Sequence, residues 1–453
     1  MKKIIAVLCV FAVCFSLSAC ELDFQSVDTL MKAPKLSGDE RLLQDAFESY
    51  SSKYSDILMK TAVSGQYKSS YIIYDIDNDK ENEALVLYSV PAENDFVNVA
   101  IFKQSNNEWT NVTEISGIGE EINSIDFADI NGDTLKELFI SWNGTSTSVE
   151  DDDNLNTSSN QKLIIYSYSD EKTEPVFSDS FNEFYKFDLR DDSVYGLALF
   201  KLDFADLQNH TEVRLIGFNK DFTIRNENIT YLTPFLEIVN ISSDQISYID
   251  RTVSRIYVDG VVSESGVITE IIEIDEETLE FSTPLNMKDP SQNDTLRSSK
   301  IYCVDIDNDG YIEIPNIEKL PYGKIISGGN DDNLNLIVWS DYYDGKITTS
   351  FKCIYNGKLG YAFVFPEEQS GKMTVYLDEN NNNLTFYSIN SDGTVNNVLF
   401  SIRVFTVPEW EEDNYNYKMY KENDSYVYGY LIFKEENKEK YEKFITDNLL
   451  CFE

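Results

Sequence analysis

The sequence predicts a mainly β fold built from repeated units, with a short N-terminal helix and a small α+β domain at the C-terminus. Short runs of alternating apolar residues, separated by clusters of Asn, Asp, Gly and Ser, fill the chain from Ser69 to about Tyr355. This texture is typical of strands and turns. An acidic motif recurs three times within the same region. The 453 residues, of which 42% are hydrophobic and 13% aromatic, indicate a folded chain with room for two or three domains.

The first twenty residues have the pattern of an export signal. Lys2 and Lys3 precede the apolar run Ile4–Phe15, which is too short for a membrane-spanning helix. The ending Leu-Ser-Ala-Cys resembles a bacterial lipobox. This resemblance implies a lipoprotein in which Cys20 is diacylated, becomes the mature N-terminus and anchors the chain to the extracytoplasmic face of the cell membrane. The alternative is an ordinary secretory signal peptide with an incidental cysteine.

A helix is predicted from Asp39 to Tyr50, after a tether without periodicity. Its apolar residues recur at helical spacing, and Ser37 and Glu40 are placed as a capping box. The polar face is acidic rather than rich in lysine, so packing against the first strands is favoured over a membrane-surface helix.

A nine-residue pattern of oxygen-bearing side chains is the central motif of the chain. Positions 1, 3, 5 and 9 carry Asp, Asn or Glu, and position 9 is always Glu followed by an apolar residue. The three copies are loop 1 (Asp75, Asp77, Asp79 and Glu83), loop 2 (Asp129, Asn131, Asp133 and Glu137) and loop 3 (Asp305, Asp307, Asp309 and Glu313). Strand-like runs lie beside each copy, so the sequence predicts acidic loops inside β-hairpins.

Such loops suit a hard cation, because oxygens at positions 1, 3 and 5 of a tight turn converge and the acid at position 9 closes the shell. Ca²⁺ accepts flexible coordination by six to eight oxygens, whereas Mg²⁺ demands a stricter octahedron, so calcium is favoured. An EF-hand needs a glutamate at position 12 and flanking helices, but position 12 is Val86, Ile140 or Asn316 here. The alternative is an ordinary acidic hairpin turn, since Asp, Asn and Gly dominate turns.

The stretches Asp75–Leu87 and Asp129–Ile140 resemble the calcium-loop core of FG-GAP/VCBS repeats, the blade units of integrin-type β-propellers. The resemblance implies a β-propeller with Ca²⁺ as its cofactor, held by the side chains at positions 1, 3, 5 and 9. Two features depart from the family. The glycine after the third acid is present only as Gly310, with Lys80 and Thr134 in the other copies, and the chain has no clear copies of the flanking Phe-Gly and Gly-Ala-Pro signatures.

Spacing supports a repeat architecture. Loops 1 and 2 start 54 residues apart, and a further 59 residues lead to Asp188, where Arg190 replaces a ligand in a decayed copy that we predict to hold no metal. Loop 3 starts 117 residues later, which leaves room for a repeat without a loop motif near Asp244–Asp259. Periods of this size are typical of propellers, so five or more blades are expected. The alternative is a pair of β-sandwiches with calcium hairpins.

Beyond Gly357 the sequence predicts five strands and a final helix, Asn437–Leu449, in a small α+β domain. The Asp378 to Asn382 stretch mimics positions 1, 3 and 5 of the loop motif, but position 9 is Phe386, so a plain hairpin turn is predicted there. The expected domains are a signal peptide (1–19), a tether (20–36), an N-terminal helical segment (37–68), a β-propeller-like repeat domain (69–356) and the α+β C-terminal domain (357–453).

Charge and motif content exclude several classes of function. A net charge of −42 argues against nucleic acid as a partner, because phosphate binding needs clustered Lys and Arg. The chain shows no phosphate loop, zinc-protease helix or nucleophile elbow, and the single histidine, His210, has no nucleophile motif near it. Of the cysteines outside the signal, Cys303 and Cys353 are either paired with each other or buried as free thiols.

These observations predict a membrane-anchored, extracytoplasmic calcium-binding repeat protein of the bacterial cell surface that is not an enzyme. Its expected output is binding of a surface polysaccharide or protein ligand, adhesion or envelope scaffolding. One alternative is a glycan-active or other hydrolase, which would place two carboxylates about 5 to 9 Å apart in a cleft. The other alternative is a purely structural envelope lipoprotein.

Overall fold

The computed structural model describes residues 39–452 except 107, 144–160, 190–193, 203–209, 249–251, 265, 277, 279, 287–292, 299 and 328–329. The predicted signal peptide, Cys20, the tether and Arg190 therefore lie outside the described residues. The chain divides into two compact units, unit 1 (Met1–Asp126 and Tyr168–Glu174) and unit 2 (Phe127–Ser167 and Pro175–Glu453). Among the described helices, none combines the length and the apolar composition needed to span a bilayer.

Unit 1 contains helix α1 and a five-stranded sheet. The elements are α1 (Asp39–Ser51), β1 (Leu58–Met59), β2 (Tyr71–Tyr74), β3 (Glu83–Ser89), β4 (Val97–Ser105) and β5 (Glu108–Ile115). Strands β3, β4 and β5 form an antiparallel meander, and both β1 and β2 pair with β3. Leu43 and Phe47 of α1 are buried against Val86, Tyr88 and Phe102 of this sheet, which confirms the predicted amphipathic helix.

The next strands are β6 (Glu121–Ala128), β7 (Glu137–Asn143), β8 (Lys162–Ser169) and β9 (Lys172–Ser180). Within unit 2, β7 pairs antiparallel with β8, with Leu138 opposite Tyr166 and Trp142 opposite Lys162. Most side chains of β7 and β8 are buried, including Trp142 and Ile165, so both strands appear in the sequence as apolar runs rather than alternating ones.

Two four-stranded antiparallel meanders follow in unit 2. The first contains β10 (Glu183–Leu189), β11 (Val194–Leu202), β12 (Thr211–Phe218) and β13 (Ile224–Leu232), and the second β14 (Glu237–Ser247), β15 (Thr252–Ser263), β16 (Gly266–Asp275) and β17 (Phe281–Ser282). They share one apolar core, to which Phe200, Val213, Ile256 and Ile268 contribute. The second meander occupies the place where the spacing predicts a repeat without a loop motif.

The remaining strands form one ten-stranded sheet. They are β18 (Ile314–Ser327), β19 (Asn330–Tyr343), β20 (Lys346–Asn356), β21 (Tyr361–Val364), β22 (Met373–Asp378), β23 (Asn383–Ile389), β24 (Val395–Thr406), β25 (Lys418–Glu422), β26 (Tyr426–Ile432) and β27 (Leu449–Cys451). Their spatial order is β25-β26-β24-β23-β22-β18-β19-β20-β21-β27, with β18 and β22 parallel. The sheet thus contains strands from both sides of residue 356, and the expected domain boundary there stays a prediction.

Helices α2 (Val407–Glu412) and α3 (Lys438–Asn448) accompany the ten-stranded sheet, together with 3-10 turns at Glu367–Gln369, Glu379–Asn381 and Glu435–Asn437. Helix α3 packs Tyr441, Phe444 and Ile445 onto the core of this sheet, as its spacing predicts. One of the five strands predicted beyond Gly357, Val398–Val407, is observed as Val395–Thr406. Its predicted end is wrong by one residue, because Thr406 caps α2 in a capping box with Glu409. The Asp378 turn joins the antiparallel strands β22 and β23, which confirms the plain hairpin.

Candidate metal centres

The acidic loops occupy one place in the chain topology, directly before a buried strand. Glu83 and Glu137 are the first residues of β3 and β7, and Glu313 immediately precedes β18. Strands β3, β7, β11, β15 and β18 begin at residues 83, 137, 194, 252 and 314. The spacing of 54 to 62 residues between successive strand starts is the repeat that the sequence predicts.

The position-9 glutamate has the same setting in all three loops. Glu83, Glu137 and Glu313 have at most 1% of their surface exposed. Each Oε2 accepts a hydrogen bond of 2.9 Å from the backbone N–H of the buried isoleucine at position 2 of its own loop. Because the isoleucine is buried in the core, its N–H fixes the position of the glutamate carboxylate at the start of β3, β7 and β18.

The position-1 aspartate organises the turn. Its Oδ2 accepts the backbone N–H of position 6 in every loop, at 3.1 Å from Lys80, 2.8 Å from Thr134 and 3.0 Å from Gly310. The position-5 aspartate accepts the N–H of position 7 at 2.8 to 2.9 Å. The loop is thus held by hydrogen bonds between its own aspartate side chains and its own backbone N–H groups.

Two residues of each loop have left-handed backbone conformations. At position 6, φ is +74° for Lys80, +77° for Thr134 and +91° for Gly310. Position 4 is also left-handed, with Asn78, Gly132 and Asn308 at φ between +56° and +78°. Lys80 and Thr134 therefore keep the geometry that a glycine supplies in loop 3, although a side chain makes it strained.

Loop 1 contains a lysine at its centre. Lys103 lies on β4 directly opposite Glu83. Its Nζ donates to Asp77 Oδ2 at 2.9 Å and to Asp79 Oδ2 at 2.8 Å, and lies 3.6 Å from Glu83 Oε1. Burial alone would lower the pKa of Lys103, but the hydrogen bonds to Asp79 and Asp77 outweigh burial and raise it above its ordinary value.

Loop 2 contains an amide in place of one carboxylate. The Asn131 Nδ2 donates to Asp133 Oδ2 at 3.0 Å and to the backbone oxygen of Lys220 at 3.2 Å. Asp129, Asn131 and Glu137 are all buried. Continuing the β7–β8 register by one step from Leu138 and Tyr166 places Ser167 opposite Glu137, at the position that Lys103 occupies in loop 1.

Loop 3 has an additional acid at that position. Ile314 pairs with Ser340 in the β18–β19 register, so Asp341 lies opposite Glu313. Behind the loop, the backbone N–H of Ile312 donates to Asp244 Oδ2 at 2.8 Å, which ties position 8 to the β14–β17 sheet.

Burial gives the three glutamates unusual protonation behaviour. Desolvation raises the pKa of Glu83 to about 7, of Glu137 to about 8 and of Glu313 to about 7. The neighbouring aspartates contribute to these raised pKa values, and the isoleucine N–H bonds oppose the effect. In loop 1 Lys103 also opposes it, whereas in loop 3 Asp341 adds to it.

The donor sets fit a calcium ion in size. One oxygen each from Asp75, Asp77 and Glu83 lies within 4.8 Å of the others, and the same holds for Asp305, Asp307 and Glu313. Oxygens that share a Ca²⁺ at about 2.3 to 2.6 Å are separated by no more than about 5 Å. The structure thus brings together the predicted ligands at positions 1, 3 and 9 of loops 1 and 3. Among the described residues, the position-5 aspartates and the acids of loop 2 form no such cluster, although loop 2 has the same backbone hydrogen bonds as the other two loops.

Sequence reasoning missed Lys103, Asp341 and Asp244, which are remote in the chain from the loops they serve. A charged residue that follows an apolar run within a strand is the available signal for Lys103 and Asp341. Asp188 lies on β10 opposite Tyr195, and burial raises the pKa of its carboxyl group. Arg190 and Asp192 lie outside the described residues, so the decayed copy stays a prediction.

The remaining residues that the sequence analysis singled out are Cys303, Cys353 and His210. Cys303 and Cys353 are buried free thiols; the Cys353 sulfur accepts the Trp339 Nε1–H at 3.2 Å, and burial raises the pKa of Cys353 to about 12. His210 is exposed next to Tyr231, with ring centroids 5.8 Å apart.

A cavity of about 440 Å³ lies in unit 2, and none of the residues that line it belongs to loop 2 or loop 3. Tyr248, Phe281 and Tyr342 line it together with Glu273 and Asp275. The Glu273 carboxylate accepts a hydrogen bond from the Ser282 hydroxyl at 3.0 Å. Aromatic rings beside carboxylates suit a polar ligand with an apolar face.

Comparison with known proteins identifies no family. No family model and no curated protein matches the chain. Among solved structures, a hypothetical protein from Leishmania major is similar with 11% identity and a TM-score of 0.23, over 69% of this chain and 95% of that one. An α-L-arabinofuranosidase from Lactobacillus brevis is similar with 11% identity and a TM-score of 0.26, over 72% and 93%. A GH43 β-1,3-galactosidase is similar with 9% identity and a TM-score of 0.24, over 77% and 74%.

Proposed function

We propose that the chain is a calcium-stabilised binding protein of the bacterial cell surface, anchored by a lipid on Cys20. The main support for calcium binding is the cluster in loop 3, where one oxygen each of Asp305, Asp307 and Glu313 lies within 4.8 Å of the others. Asp341 lies opposite Glu313, and its negative charge helps to raise the pKa of the Glu313 carboxyl group. Several carboxylates so close repel one another unless a cation lies between them.

Calcium would act here as a structural element of the fold. Each loop leads into a buried strand, so an ion in the loop holds the strand end and the preceding chain together. Binding to the folded state alone stabilises a protein in proportion to ligand concentration. Extracellular calcium modules have dissociation constants of about 10⁻⁴ to 10⁻³ M, so millimolar calcium outside the cell would keep calcium-binding loops occupied.

We propose further that the successive sheets are blades of the FG-GAP/VCBS type. The recurring strand starts and the loop directly before β3, β7 and β18 support this proposal. The same hydrogen bond, from the isoleucine N–H at position 2 to the glutamate carboxylate at position 9, is present in all three loops and supports the proposal as well.

A thermal melt of the chain from Cys20 to Glu453 without its lipid, in chelator and then across a calcium series, tests the calcium function. Calorimetry in parallel counts the bound ions. We expect the melting temperature to rise with calcium and the ions to bind in whole-number stoichiometry. An unchanged melting temperature with no bound ion would reduce the loops to ordinary turns.

The lipid anchor is tested separately in cells. Replacing Cys20 with Ala should move the protein from the membrane fraction to the medium or periplasm, because two acyl chains supply the anchoring energy. Unchanged membrane association of Cys20→Ala would contradict lipid anchoring while leaving the calcium function intact.

For the binding output, the cavity beside Tyr248 and Glu273 is the candidate ligand site, and a polysaccharide is the candidate ligand. Tyr248 and Phe281 offer ring faces for stacking on sugars, and the carboxylates offer acceptors for hydroxyl groups. A pull-down with soluble cell-surface polysaccharides tests this, with Tyr248→Ala as the variant expected to lose binding. A matched Tyr322→Ala variant removes an exposed tyrosine elsewhere and should bind normally.

A further inference from the structure

We propose that Lys103 is a built-in cation of loop 1, so that its ammonium group takes the place of Ca²⁺ and only loops 2 and 3 bind the ion. This assignment rests on the calcium function proposed above and names which loops carry it. The positions of Asp77, Asp79 and Glu83 around the Lys103 nitrogen are the observation behind it.

The nitrogen lies where the loop oxygens converge. It is 2.8 to 2.9 Å from two aspartate oxygens and 3.6 Å from Glu83 Oε1. Glu83 Oε1 is buried and has no hydrogen-bond partner in the described structure, so this carboxylate oxygen faces the ammonium group alone. A charge-assisted contact to a lysine is the compensation that a buried carboxylate requires.

A divalent ion bound by the same oxygens would lie very close to the ammonium group. The two positive charges would repel each other strongly. The lysine stem is held on β4 opposite Glu83, and only 18% of the side chain is exposed. Displacing it costs the two hydrogen bonds to Asp77 and Asp79 in addition to the repulsion. Calcium affinity in loop 1 is therefore far weaker than in a loop without the lysine.

The residue opposite the position-9 glutamate differs among the three loops. It is Lys103 in loop 1, Ser167 in loop 2 and Asp341 in loop 3. The charged residues that act most strongly on Glu137 are Asp133 and Asp129, and on Glu313 they are the aspartates of loop 3 together with Asp341. Loop 1 is the loop whose glutamate faces a positive side chain.

One residue on the neighbouring strand thus decides whether a loop depends on metal. Unit 1, which contains loop 1, keeps its loop closed in the absence of calcium. Loops 2 and 3 in unit 2 need the ion to offset their carboxylates.

Exchanging the residues at this position tests the assignment. Calorimetry with Ca²⁺ alone should count two ions in the wild-type chain, three in Lys103→Ser and one in Asp341→Lys. The double variant Lys103→Ser/Asp75→Ala should return to two, which assigns the added ion to loop 1. Lys60→Ser is the matched control, because it removes a lysine of unit 1 that pairs with Asp95 at 3.7 Å outside the loops, and it should bind two.

Melting in chelator gives a readout that does not depend on counting ions. Lys103→Ser should melt at a lower temperature than the wild type in chelator and recover in calcium, whereas Asp341→Lys should melt at a higher temperature in chelator. Three ions in the wild type, or two in Lys103→Ser, would overturn the role of Lys103. No ion in the wild type would instead overturn the calcium function itself.

Discussion

Arg255 donates to both carboxylate oxygens of Asp244 at 2.6 Å, in a cross-strand pair whose side chains are 3% and 1% exposed. Asp244 also accepts the Ile312 N–H behind loop 3, and Arg255 also donates to the backbone oxygen of Tyr342. The pair therefore joins the β14–β17 sheet to loop 3 and to β19. Because the two buried side chains also bind backbone groups of loop 3 and β19, the pair fixes the positions of these elements relative to the β14–β17 sheet.

Replacing Asp244 with Ala should lower the free energy of unfolding by about 3 to 5 kcal/mol, because Arg255 is left charged, buried and unpaired. The variant should also weaken calcium binding by loop 3, since Ile312 loses its acceptor. Denaturant unfolding and calorimetry measure the two effects. Glu227→Ala, which breaks a more exposed pair with Arg214, is the control and should cost no more than about 1 kcal/mol. Equal losses in both variants would contradict the structural role of the buried pair.

Thr134 has an unfavourable left-handed conformation, with φ at +77° and its side chain exposed. Thr134→Gly should raise the free energy of unfolding by about 0.5 to 1 kcal/mol, because glycine adopts this conformation without strain. Gly310→Ala is the reciprocal change, since an added Cβ meets no atom within 4 Å and only the backbone strain remains. It should lower the free energy of unfolding by about 1 kcal/mol. A destabilised Thr134→Gly would show that the threonine side chain is required.

Gly196 lies on β11 directly under the ring of Phe187, its cross-strand partner. A Cβ at Gly196 would lie 2.4 Å from Phe187 Cζ, so Gly196→Ala should cost about 1 to 3 kcal/mol through overpacking. The double variant Gly196→Ala/Phe187→Leu should recover part of that loss, because the smaller side chain makes room. A double variant no more stable than Gly196→Ala would argue against a steric cause. Urea unfolding curves of the single and double variants measure this coupling.

If loop 3 binds calcium as proposed, Asp307→Ala should remove one bound ion and lower the melting temperature in calcium, since a proposed ligand is lost. Asp188→Ala should leave the stoichiometry unchanged, because the sequence at Asp188 lacks a complete ligand set. Calorimetry on both variants makes the comparison. A lost ion in Asp188→Ala would mean that the decayed copy still holds metal.

Glu270 on β16 gives a pH-dependent prediction away from the loops. Burial raises the pKa of this carboxyl group above its ordinary value of 4.5, and hydrogen bonds from Thr233 oppose the shift. A raised pKa in the folded state means that stability from protonated Glu270 is present below pH 4.5 and is lost as pH rises through the folded pKa. Glu270→Gln should therefore flatten the decline of stability towards neutral pH. Urea unfolding at several pH values measures this, and Glu439→Gln, at an exposed position of α3, should leave the decline unchanged.

Local pattern was enough to predict α1, α3 and the β-hairpins, because the positions of apolar residues differ between helices and strands. The Thr406 cap of α2 was not predicted, because the apolar residues around it suggested that the strand continued. The parallel contact between β18 and β22 also could not be predicted, because pairing of distant strands depends on the whole sheet.

The sequence by itself determined the acidic loops, the spacing of their oxygen-bearing side chains and their recurrence, because a tight turn brings residues two positions apart close together. Tertiary structure alone decided what faces that centre. Lys103 reaches Glu83 through the β3–β4 register, Asp341 reaches Glu313 through the β18–β19 register, and Asp244 reaches Ile312 across 68 residues. Register is set by the packing of entire strands, so the charge that closes each loop is visible only in the folded chain.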